Sequence, residues 1–167
     1  MALASPITRD LRIDGFGLVA VGLAGVIAAA VMAKGGPGLA LIPFIIVALV
    51  FGLAQVVVSG GWLRTAVAKA GPPPPGLIRE DESHTMRRAG LPTLVAVVLV
   101  AIALFAWLQF AALLAGVAFA AGMMDVRSRT WISKHEGEHD VMILREVTWL
   151  PFATSRRPLW AEPRDPS

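Results

Sequence analysis

The sequence has no cysteine and no tyrosine, and it also lacks asparagine. Without cysteine there are no disulfides, thiolate metal sites, thiol nucleophiles or cysteine-linked lipids. Without asparagine there is no N-linked glycosylation. Lysine is scarce, at 3 residues against 12 arginines, a bias that GC-rich codon usage produces and that points to a bacterial source. The most informative absence is of charge. The long apolar stretches contain no Asp, Glu, Lys, Arg or His. Ion-coupled carriers, proton relays and voltage sensors place ionisable groups at that depth, and membrane haems need histidine ligands there. Those functions are disfavoured. With 15 basic residues against 12 acidic ones, the net charge of +3 is too small a surplus for nucleic-acid binding, and no nucleic-acid partner is expected.

What is abundant is apolar side chain. A 56% hydrophobic composition and a mean hydropathy of +0.67 lie outside the range of soluble domains. Residues 1–15 read as a short charged segment and residues 16–59 as a first transmembrane hairpin turned at Lys34 to Gly38. A signal peptide is the competing reading of the first run. That run exceeds the roughly 7–15 residues of a signal core, however, and a second span follows at once.

Residues 60–90 form a Pro-rich, charged loop: Pro72 to Pro75 reads as an extended spacer, Arg79 to Glu82 as a solvated mixed-charge stretch, and Arg87 and Arg88 as headgroup anchors. Residues 91–124 would make a single helix of about 51 Å, too long for a ~30 Å hydrocarbon core. Two spans are therefore expected, broken near Trp107, Leu108 and Gln109. Residues 125–167 read as a tail whose first part extends the fourth helix to about Lys134. Strand-like residues follow at Val141 to Leu144 and Val147 to Trp149.

The expected fold is thus an all-α integral membrane protein of four transmembrane helices in two hairpins, with a short C-terminal tail able to form a β-hairpin. Four spans put 14 of the 15 basic residues on one side, leaving only Lys34 opposite. By the positive-inside rule that side is cytoplasmic, giving a multi-pass protein of the plasma membrane with both termini inside.

One segment matches a catalytic pattern. His135-Glu136-Gly137-Glu138-His139 satisfies HExxH, in which two histidines one helical turn apart share zinc and the glutamate activates the metal-bound water. The third ligand would be His84, Glu146 or Glu162. The surrounding Lys34-like polarity of Lys134, Glu138 and Asp140, with Gly137 weakening the helix, fits a solvated turn better than a dry zinc site. Neither metal nor cofactor is expected, and zinc at His135, His139 and His84, with Glu136 as base, stands as the alternative.

Small residues four apart, as in Gly25 and Ala29, Ala112 and Gly116, or Ala118 and Gly122, offer close helix packing within the chain or against another subunit. Such short, small-residue helices are expected to enclose little volume and no private substrate cavity. The partners expected are the lipid bilayer and other membrane subunits, or self-association through these faces. The favoured reading is a noncatalytic accessory or scaffold subunit. A small oligomeric channel or carrier for neutral solutes comes second, and a membrane-anchored zinc hydrolase third.

Overall fold

The computed structural model describes residues 3–147 and 157–163. The described chain runs β1 (Leu3–Pro6), α1 (Ile7–Met32), α2 (Gly38–Ala68), β2 (Ile78–Arg79), α3 (Glu82–Ala89), α4 (Leu91–Ala106), α5 (Leu108–His139), β3 (Val141–Glu146) and β4 (Leu159–Pro163). Four helical stretches are long and apolar enough to cross a membrane: α1, α2, α3 continued by α4, and α5.

The expected break in the third apolar stretch falls at Trp107, whose extended backbone (φ −162°, ψ 108°) ends α4 and begins α5. The chain doubles back there. A methyl group placed on Gly25 would touch both Val100 of α4 and Ala115 of α5, so residues on either side of Trp107 lie at one level of the bundle. Backbones approach closely along α1 and α5. A methyl on Gly122 would lie 2.6 Å from the Gly15 carbonyl oxygen and 2.7 Å from the Val19 nitrogen, which leaves room only for hydrogen. Gly25, Ala29, Ala112, Gly116, Ala118 and Gly122 are all buried, so these small residues serve packing inside the chain. The outward face of α2, including Ile42, Leu49, Leu53 and Val57, is exposed.

At ~1.5 Å per residue, the 32-residue α5 is about 48 Å long and the 31-residue α2 about 46 Å, against a ~30 Å hydrocarbon core. Each therefore projects well beyond an apolar layer. Helix α2 passes through Gly60 and Gly61 to Ala68, and α5 passes Lys134 to His139, so both outrun their sequence-based limits.

The projecting ends carry a second, polar layer, and here the all-α expectation is corrected. A four-stranded sheet of order β2-β1-β3-β4 lies on them, with β1 parallel to β2 and antiparallel to β3, and β3 antiparallel to β4. The tail's strand pair does form, but β3 runs through Glu146 and its partner is Leu159–Pro163. Of the expected second strand, Val147 lies outside the strands while Thr148 and Trp149 fall outside the described residues. The sheet recruits the extreme N-terminal segment and the central loop, both of which read as unstructured. Ile7, Val67, Ile132, Ile143 and Leu159 form an apolar core between the sheet and the ends of α1, α2 and α5.

Candidate functional site

The centre of the polar layer is a buried ionic network. Asp10 on α1 is 2% exposed, yet it is charge-paired twice. Arg88 on α3 donates to it at 3.0 Å, and Arg145 on β3 at 2.8 Å. Arg88 also reaches Glu80 and the Ser5 hydroxyl, each at 3.0 Å, while Thr85 donates to Glu80 at 2.9 Å and Ser5 to Asp10 at 3.0 Å. A planar guanidinium with several donors suits such branching contacts, which an ammonium would make less well.

Four separate chain segments therefore meet on two arginines. This corrects the reading of residues 79–82 and 87–88: Glu80 and Arg88 are taken out of solvent and bonded to the N-terminal segment. Arg87 remains exposed, as a headgroup anchor would be. Arg79 is drawn into the sheet by its pair with Glu162 at 2.8 Å. Arg157 is pushed below the usual guanidinium value, first by burial and then by the positive charges of Arg145 and Arg88.

At the N-terminus of α3, Asp81 accepts from the backbone and side chain of Ser83, and these bonds hold its carboxyl below the ordinary range.

The HExxH segment forms the last turns of α5. The His135 and His139 rings lie 4.1 Å apart, His135 stacks on Trp131 at 5.7 Å, and His139 Nδ1 sits 3.0 Å from the His135 carbonyl oxygen. Glu136 is buried, and its carboxylate accepts the Ile143 backbone N–H at 2.8 Å, tying the start of β3 to the helix that precedes it. His84 is on α3, exposed and 3.9 Å from Asp81. Glu162 is paired with Arg79, and Glu146 ends β3. Among the described residues, no group of three or more histidines or carboxylates converges at metal-binding spacing.

A cavity of about 240 Å³ opens between α1, α2 and α5 where the polar layer begins. It differs from the expectation of no cavity because it lies at the end of the bundle, where long helices splay around large side chains. Trp62, Arg64, Asp125, Arg127, Trp131 and Arg145 line it, with Val56 and Met124 on its apolar side. The Arg64 guanidinium lies over the Trp131 ring, 5.8 Å from its centre.

Fold and site together define a multi-pass type of helical bundle with an ionically clamped sheet on one end. Comparison with protein-family models, with curated proteins and with solved structures found no match.

Proposed function

We propose that the chain is a noncatalytic subunit of a membrane assembly, inserted through its four apolar helices with the sheet-bearing end on the cytoplasmic side. The observation that carries this reading is how the polar layer spends its reactive groups. Asp10, Glu80, Arg88 and Arg145 bond one another, and Glu136 bonds a strand amide, so these groups brace the fold. A catalyst needs such groups free to meet a substrate. The use of Glu136 as a strand tether weighs against its role as the base of a zinc hydrolase.

The orientation follows from 14 of 15 basic residues lying beyond one end of the spans. The exposed aliphatic face of α2 is suited to lipid or to a helix of another subunit. Extraction in mild detergent followed by affinity purification should recover partner proteins in fixed stoichiometry. A monodisperse lone chain that retains no partner would refute the subunit reading.

A further inference from the structure

The cavity at the end of the bundle combines features that suit one class of ligand. It sits where α2 and α5 leave their apolar stretches: Val56 and Met124 line it on the bilayer side, and Arg64 and Arg127 on the water side. On α2 those two wall residues are eight positions apart, about 12 Å along the helix. On α5 they are three apart, about 4.5 Å. That span matches the passage from hydrocarbon to headgroup.

Trp62 and Trp131 supply the amphipathic rings that settle at this depth. Three guanidiniums face one carboxylate, Asp125, so the wall is net positive. Arg145 is already engaged by Asp10, although its buried Nε has no hydrogen-bond partner among the described residues. Arg64 and Arg127 form no ion pair among the described residues. The volume, about 240 Å³, is smaller than the roughly 300–1,000 Å³ of sites for drug-sized ligands. It fits a headgroup whose acyl chains stay in the surrounding bilayer.

We infer that this cavity binds the phosphodiester headgroup of an anionic phospholipid of the same leaflet, with Arg64 and Arg127 on the phosphate and Trp62 and Trp131 flanking the glycerol region. The inference rests on the membrane reading above. It goes beyond the proposed subunit role by assigning a lipid site.

The test uses the full chain, delipidated in mild detergent and titrated with phosphatidylglycerol or phosphatidylcholine, with bound lipid counted by native mass spectrometry. Phosphatidylglycerol should be retained in preference. The double variant Arg64→Gln/Arg127→Gln should lose roughly thirtyfold in affinity, since each basic residue near an anionic headgroup contributes about fivefold. Arg129→Gln, on the same helix but off the cavity wall, should bind like the wild type, and inorganic phosphate at millimolar concentration should not displace the lipid. Because neither Arg64 nor Arg127 is paired, the double variant should melt with the wild type in the absence of lipid.

Equal retention of both lipids, undiminished binding by the double variant, or displacement by free phosphate would each overturn the lipid site. A chain that washes from membranes with carbonate would overturn the membrane reading as well, so the two failures are told apart.

Discussion

Replacing Arg88 by alanine removes the residue on which three chain segments converge. Asp10 and Glu80 would then be left with burial undiminished, their side chains 3% and 5% exposed. Breaking a buried ion pair from one side costs about 3–5 kcal/mol, because the remaining charge stays desolvated. Asp10 keeps Arg145 and Ser5, and Glu80 keeps Thr85, so the lower end applies, about 3 kcal/mol. That corresponds to roughly a hundredfold shift in the equilibrium for releasing the polar layer.

The effect should be local. None of the network's members lies within the uncharged parts of the spans, so the bundle should hold while the sheet opens. Hydrogen exchange monitored by mass spectrometry, in detergent, reads both regions at once. Amides of β1, of residues 78–90 and of β3 should exchange about a hundredfold faster, and those of residues 95–120 at the wild-type rate. Arg88→Lys should fall between, because an ammonium keeps the charge but cannot span Asp10, Glu80 and Ser5 together. If β1 and β3 exchange within a few-fold of the wild type in Arg88→Ala, the network does not hold the layer. Equal acceleration throughout the bundle would equally refute the local account.

Other perturbations act on single contacts. Glu136→Ala strands the Ile143 N–H in a buried site and should destabilise the start of β3 by about 1–3 kcal/mol, read by exchange of its amides; unchanged exchange would refute the tether. Gly122→Ala forces a methyl against the α1 backbone and should cost about 1–3 kcal/mol, seen as a lower melting temperature in detergent. The lowered Asp81 carboxyl stabilises α3 at pH values above the ordinary 3.8, and that contribution disappears as pH falls through its depressed folded value. Nuclear magnetic resonance should therefore show α3 fraying with acid in the wild type, and Asp81→Ala should be frayed already at neutral pH.

The bundle was legible in the sequence because its determinants are local. Apolar run length, the sidedness of arginine and the Trp107 interruption can each be read within a window of one helix. The polar layer is of another kind. Strand β1 is four residues ending in proline, and β2 is two residues, so neither carries a periodicity that could be recognised. The ion pairs join Asp10 to residues 78 and 135 positions away, and nothing near Glu80 or Arg88 distinguishes a buried partner from a solvated charge. The tail's second strand was placed too early because Val147 to Trp149 has the stronger β propensity, whereas Leu159–Pro163 is selected by its pairing with β3. The HExxH match illustrates the converse: local spacing met the pattern, while tertiary structure assigned its glutamate to a strand amide. The cavity could not have been anticipated, since its walls come from three helices and two strands.

The polar layer also explains why α2 and α5 are so long. A sheet whose two inner-to-edge strands, β1 and β2, have four and two residues buries too little surface to be stable alone. It needs a floor, which the projecting ends of α2 and α5 supply through Val67 and Ile132. Apolar packing of this kind fixes the sheet against the helices but is indifferent to small slips along a strand. Directional bonds are not. Ser5 on β1 and Arg145 on β3 both meet Asp10, and they are also register partners in the sheet, so a slip of one residue would turn Arg145 away from the carboxylate it satisfies. The apolar core therefore holds the layer down, while the ionic network sets its register.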